Sequence, residues 1–252
     1  MKFRLLFLIL LITRIGYAQS EKLNEYKVAN INNIITFFKE KNIDSISSII
    51  NLPLHREYPI PSIKNKEEFK QRFNEVFDKT IIDKIANSKI EQWSEVGWRG
   101  IMLDAGLVWI NDEGKIFAVT YQSIFEKQLR KDLILKERDV LHKSLKIFES
   151  PTYKIKSKNY LIRIDKLSDY KYRYSSWKIG EQESTKPDII LKNGKWESEG
   201  SGGNHIISFS NGKYIYKVYR NIIGKDNDPD FTIEVEKNGK IILTEDGTLI
   251  TE

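Results

Sequence analysis

Two residues of this chain are of types that move protons and lie where a hairpin would bring them together. Asp104 sits within an apolar stretch, and Tyr121 lies on the neighbouring strand of the same expected hairpin. A carboxyl group in apolar surroundings resists ionisation, which raises its pKa towards that of a useful base, and a phenol can donate to a developing oxyanion. Together they could take a proton and stabilise the charge left behind. The same residues also fit a plainer arrangement, with Asp104 at a bulge or facing solvent before Gly106 and Tyr121 serving only to pack.

A second grouping is Asp226-Asn227-Asp228-Pro229-Asp230, which sets three carboxylates at alternate positions, as hard-cation loops do. An EF-hand needs glycine after the third acid and a bidentate glutamate at position twelve, where this chain has Phe231 and Lys237. That leaves a solvated turn or a weak calcium site. The three histidines, His55, His142 and His205, are far apart with no pair at helical spacing, so no zinc site is expected. The chain has no cysteine, which removes disulfides, thiol nucleophiles and thiolate-bound metals. Gly200-Ser201-Gly202-Gly203 precedes a strand rather than a helix and so lacks the amide cluster of a phosphate cradle. No cofactor is expected.

Tyrosines form the third grouping. Tyr170, Tyr172, Tyr174 and Trp177, then Tyr214 and Tyr216, interleave with Lys171, Arg173, Lys213 and Lys217. On strands, Tyr170, Tyr172 and Tyr174 share one face, as do Tyr214 and Tyr216. Aromatic rows with basic neighbours suit recognition of a glycan, a protein or a small molecule, and they are also what strand propensity alone produces.

The elements that must position these residues divide near Ser150-Pro151. Before it, residues 21–41 carry Ile31, Ile34, Ile35 and Phe38 at helical spacing, and Asp44 is a candidate cap for a short second helix. Asn65 with Glu68 opens a third helix bearing Phe69, Phe73, Val76 and Phe77, continued by Ile81, Ile82 and Ile85 after an adjustment near Lys79-Thr80. A hairpin is expected from residues 98–110 and 115–124, then a connecting amphipathic helix over 126–150 with Leu129, Leu133, Val140, Leu141, Leu145 and Phe148 inward. After residue 151 every segment reads as β. Turns at Lys192-Asn193-Gly194, Ser210-Asn211-Gly212 and Asn238-Gly239 indicate an antiparallel meander or small barrel.

Residues 1–18 combine Lys2 and Arg4, an apolar run of residues 5–12, and Gly16-Tyr17-Ala18, the three parts of a signal peptide. The expectation is an exported protein, periplasmic or secreted, with no membrane span after cleavage. The formal charge of +6 falls to +3 once Lys2, Arg4 and Arg14 leave with the signal. The remaining charges are scattered, so no nucleic-acid footprint is expected.

The order helix, short helix, extended segment, helix and long antiparallel strands over residues 19–125 resembles the cone-shaped α+β fold of the nuclear transport factor two superfamily. Residues 64–69, Lys-Asn-Lys-Glu-Glu-Phe, and residues 100–110, Gly-Ile-Met-Leu-Asp-Ala-Gly-Leu-Val-Trp-Ile, carry the likeness. The resemblance implies a pocket between helices and sheet, used for isomerisation or dehydration or only for binding. Asp104 and Tyr121 would be its base and donor. The fold expected is α+β, a cone-like first domain followed by an all-β domain at 151–252. The function expected is a non-enzymatic binding protein, with a pocket enzyme of the isomerase or dehydratase type as the alternative.

Overall fold

Side-chain caps start the helices of the first half. In a computed structural model, which describes residues 23–200, 202–223 and 228–250, Asn24 accepts the Lys27 amide (2.9 Å) and opens α1, Glu25–Lys39. The expected signal segment, 1–18, lies outside the described residues. Asn42, not Asp44, caps α2, Ile43–Ser48, through the Ser45 amide (3.0 Å); Asp44 lies in the first turn and pairs with Lys70 instead. Asn65 accepts the Glu68 amide (2.9 Å) at α3, Lys66–Val76, while the Glu68 carboxylate takes the Lys64 amide (2.9 Å). Asp78 accepts from Thr80 and Ile81 and starts a separate helix, α4, Lys79–Ala86, so the chain breaks here and does not merely adjust.

These helices cover a four-stranded antiparallel sheet in the order β1 (Trp93–Glu95), β2 (Ile101–Leu103), β3 (Val108–Ile110), β4 (Ile116–Val119). One long hairpin was expected here. The chain instead turns between β2 and β3, where Asp104 (φ 51°) and Gly106 (φ 89°) adopt the left-handed conformation that few residue types tolerate. Ile31, Phe38, Phe69, Phe77, Leu103, Val108 and Ile110 pack between the layers, each at most 1 % exposed. Rings of Phe38 and Phe73 lie 5.2 and 5.3 Å from that of Phe77.

The connecting helix, α5, spans Ile124–Val140, capped by Ser123 at the Glu126 amide (3.0 Å). It ends earlier than expected because Leu141 turns extended, which lets Leu141, Leu145 and Phe148 reach the next domain; Val140, expected inward, is exposed. Among the described residues no helix is long and apolar enough to cross a membrane.

Eight strands follow: β5 (Ser150–Ser157), β6 (Tyr160–Lys166), β7 (Tyr172–Lys178), β8 (Ile189–Ser198), β9 (His205–Asn211), β10 (Tyr214–Arg220), β11 (Phe231–Lys237) and β12 (Lys240–Leu249). Each pairs antiparallel with the next, and β12 returns to β5, so the meander closes into a barrel. The molecule is thus α+β, with helices on a four-stranded sheet joined to an eight-stranded barrel. Of the expected turns, Asn238-Gly239 connects β11 to β12 with both residues left-handed. Asn193-Gly194 does not turn the chain. It forms a bulge inside continuous β8, with Asn193 at φ 62° and the register shifted opposite Tyr172 and Tyr174.

Glycine is required beside the bulge, since a Cβ on Gly194 would stand 2.2 Å from the Phe209 ring inside the barrel. Gly247 is constrained likewise by Ile155, at 2.6 Å. Ile162, Ile164, Leu191, Ile207, Val218 and Ile233 fill the rest of the mid-barrel layer. Gly194→Ala should therefore overpack the core and cost about 1–3 kcal/mol by urea unfolding, with exposed Lys195→Ala near neutral as the comparison.

A buried ionic cluster joins barrel wall and α5. Asp165, fully buried on the outer face of β6, accepts from Arg163 Nε (2.8 Å) and from Arg173 Nη2 (2.5 Å) and Nε (3.2 Å). Arg163 Nη1 reaches Glu137 on α5 (2.8 Å) and Glu183 (3.2 Å). Tyr58 donates to the same Glu137 (2.8 Å), and Arg173 donates to the carbonyls of Leu145 (2.7 Å) and Ile147 (3.0 Å). Asp165→Ala would leave buried Arg173 held by backbone carbonyls alone and Arg163 by Glu137 and Glu183, and we expect a loss of about 3–5 kcal/mol together with faster amide exchange in the last turns of α5.

Candidate functional site

An eight-stranded barrel has room for either packed side chains or one small ligand. Here the middle is packed and space is left at both ends. At the end formed by the turns at 158–159, 212–213 and 238–239, a recess of about 230 Å³ is lined by Tyr160, Tyr174, Ser176, Ile189, Tyr216, Ile233, Val235, Ile242 and Leu243. Strand alternation sends Tyr160 of β6, Tyr174 and Ser176 of β7 and Tyr216 of β10 inward from different parts of the wall. The rings of Tyr174 and Tyr216 are 5.7 Å apart. Burial above all pushes the Tyr174 hydroxyl above its ordinary value, opposed by a bond with Ser176 and reinforced by the neighbouring Tyr216 and Tyr160 phenols. Ile242 stands exposed at the rim.

The other end faces the first domain. A cleft of about 400 Å³ lies between the loop at residues 55–62, α5 and the barrel end, lined among others by His55, Ser62, Arg130, Tyr153, Lys166, Tyr172 and Arg220. Arg56 holds the loop in place. It is paired with buried Glu126 (2.5 Å) and donates to the carbonyls of Val119 and of Tyr121 (2.8 Å). Inside the barrel end, His205 Nδ1 donates to the Gly203 carbonyl (2.7 Å), and in the neutral ring Nε2 accepts from the Tyr153 hydroxyl (2.9 Å).

The expected proton-transfer pair does not form in this structure. Asp104 sits in the β2–β3 turn, not within a strand, and accepts from Gln92 Nε2 (3.0 Å). The Tyr121 hydroxyl donates to Asp78 (2.8 Å to Oδ2), whose carboxylate is already capping α4. Phe69, Phe73 and Phe77 occupy the space the pair would need, while Trp109 packs on Phe117 outside that core. Of the acidic triplet, Asp226 lies outside the described residues; Asp230 is engaged by the Leu249 amide (2.9 Å) and, more distantly, by Arg220 (3.4 Å).

Tyr172 and Tyr174 keep their shared face, from which Tyr170 departs, but the face of Tyr172, Tyr174 and Tyr216 is the inside of a closed barrel rather than an open sheet. Tyr174 and Tyr216 meet in the recess, Tyr172 lines the opposite cleft, and Tyr214 lies near Lys213 and Lys237. Tyr170 is in the β6–β7 turn and exposed. Trp177 points outward yet is fully buried under Ile134, Leu141 and Phe148, so it is unavailable to a ligand. Tyr160 and Ser176 were missed; each has the parity of an inward residue, and only closure of the barrel gives that parity meaning. Compared with family models, curated proteins and solved structures, the chain matches none.

Burial pushes the Tyr153 hydroxyl up to about 12 and lowers His205 and His55 below their ordinary 6.5, with Arg220 adding to the fall at both histidines. A histidine with a lowered folded pKa contributes stability that is complete above 6.5 and is lost as pH falls below it. A tyrosine raised from 10.0 contributes stability that is lost between 10 and about 12. The urea midpoint should therefore fall on both sides of a plateau, and His205→Gln should flatten the limb just below pH 6.5; an unchanged acid limb would contradict this assignment.

Proposed function

We propose that this chain is an exported, non-enzymatic binding protein that takes one small, neutral, ring-bearing molecule in the open end of its barrel. The observation that carries this reading is the convergence of Tyr160, Tyr174 and Tyr216 with Ser176 on one recess whose other walls are Ile189, Ile233, Val235, Ile242 and Leu243. Such a mixture offers apolar faces for a ring and a few hydroxyls to orient it, the usual composition of a small-molecule site. The recess has room for a single ring rather than an extended chain molecule. Export, to the periplasm or beyond the cell, rests on the signal-like residues 1–18.

In this reading the first domain is a nuclear transport factor two-like platform. The stacking of α1–α4 on one antiparallel sheet supports the likeness, and the phenylalanine filling favours a supporting role over a second pocket.

The test is saturation-transfer NMR with phenol, indole and methyl glucoside. At least one should show saturable transfer. Tyr216→Phe should weaken it about fivefold, in line with the loss of one neutral hydrogen bond of roughly 1 kcal/mol. Ile242→Trp, a change at the exposed rim, should block it. Transfer from none of the three, or wild-type binding by both variants, would refute the proposal.

A further inference from the structure

The cleft at the opposite end of the barrel contains four cationic side chains, and three of them are closely paired. Arg56 has Glu126 at 2.5 Å, Arg130 has Glu57 at 3.0 Å, and Lys166 has Glu149 at 2.8 Å. Arg220 differs. Among the described residues its one ion-pair partner, Asp230, stands 3.4 Å away, and the other oxygen of that group is taken by the Leu249 amide (2.9 Å). What holds Arg220 is the Asp230 carbonyl (2.8 Å), a longer contact to the Asn221 carbonyl (3.4 Å), and the Phe231 ring under its guanidinium (4.7 Å).

All of those hydrogen bonds use Nη1. Among the described residues, the Nε–Nη2 edge of Arg220 has no protein acceptor. That edge offers two parallel N–H groups, the geometry that grips a carboxylate or phosphate with two bonds at once. The Arg220 side chain is only 15 % exposed, so water screens its charge in part.

The neighbouring groups suit the same chemistry. His55 Nδ1 lies 3.0 Å from the Ser62 hydroxyl. In the tautomer where that hydroxyl donates, Nε2 carries the proton and is a donor. Tyr172 lines the same cleft and adds a phenol. Arg220 also dominates the local field: after burial, its charge is the next influence on both His55 and Tyr153.

We propose that this cleft binds a small oxyanion, a carboxylate or a phosphate, through the Nε–Nη2 edge of Arg220, with His55 and the Tyr172 hydroxyl completing its shell. This is a second site, at the far end of the barrel from the tyrosine recess. The two ends are separated by the packed layer of Ile155, Ile164, Ile207 and Phe209, so neither occupant touches the other.

The experiment titrates the isotope-labelled protein with acetate, succinate, inorganic phosphate and, as the ionic-strength control, chloride, following the Arg220 Nε–H and His55 ring resonances by NMR. A saturable shift with the carboxylates or with phosphate, absent with chloride, is the expected result, and the arm that saturates at lower concentration identifies the source of the oxyanion. Arg220→Lys keeps the charge but lacks the planar edge and should weaken binding about tenfold or more. Tyr172→Phe, which removes only a hydroxyl, should weaken it a few-fold with the urea midpoint unchanged. No saturation by any oxyanion, or undiminished affinity in both variants, overturns the proposal. Should Arg220→Lys fail to fold, the direct shift and Tyr172→Phe decide the matter. The readout is at Arg220 and not at Tyr216, so failure here is distinct from failure at the recess.

Discussion

The contact between barrel wall and α5 turns on one buried carboxylate. Asp165 has no exposure, and its two oxygens serve two arginines, Arg163, which also meets Glu137 and Glu183, and Arg173, whose remaining bonds are to backbone carbonyls. Burying three charges is expensive, and this lattice of hydrogen bonds offsets the cost although, among the described residues, Arg163 Nη2 is left without a partner. Arg163 bridges to α5 and to the loop carrying Glu183, and Arg173 bridges to the carbonyls of the segment after α5. Tyr58 extends the network into the first domain through Glu137. The Phe148 ring adds a further restraint, with Arg138 4.5 Å and Arg163 5.2 Å from its centre. An apolar contact alone would let the helix slide on the barrel. These directional bonds fix its position, and with it the loop that forms one wall of the cleft.

The barrel divides its interior in a way that follows from side-chain volume. Phe209 at one point of the wall, and Ile155 with Ile233 at another, fill the mid-height so closely that glycine is required against them, at 194 and 247. The ends are wider because their inward residues are tyrosines, which keep a polar tip at the solvent side and so do not collapse into the core. One end is left open by short turns, and the other is partly covered by the loop at 55–62. The ends consequently differ in chemistry: phenols and aliphatic walls at one, an arginine edge and a histidine at the other.

Local features of this chain were legible in its sequence where the controlling contacts are local. Asn65 and Glu68 announce α3 because the capping bonds span only a few residues, and Asn238-Gly239 announces a hairpin because both left-handed positions lie in the turn itself. Asn193-Gly194 carries the same two residue types, yet there the chain continues as β8 because it pairs on both sides with β7 and β9. The parity of Tyr172, Tyr174 and Tyr216 was readable, but whether that face looks outward or inward depends on β12 meeting β5. The burial of Arg163, Asp165 and Arg173 leaves no local signal, since it is due to residues 141–149 folding back over them. Asp104 looked like a strand residue because the apolar run continues on both sides of it, and its left-handed turn leaves no hydropathy signal.

The strands of the barrel pair in order along the chain, except at one place. The seam between β12 and β5 joins residues 247–249 to residues 155–157 by three matched positions, against seven between β10 and β11. Partners so distant in sequence are slow to find each other. The wall therefore closes only when β12 is available to pair with β5. The same short seam makes the barrel easiest to unzip at the place where it was last closed.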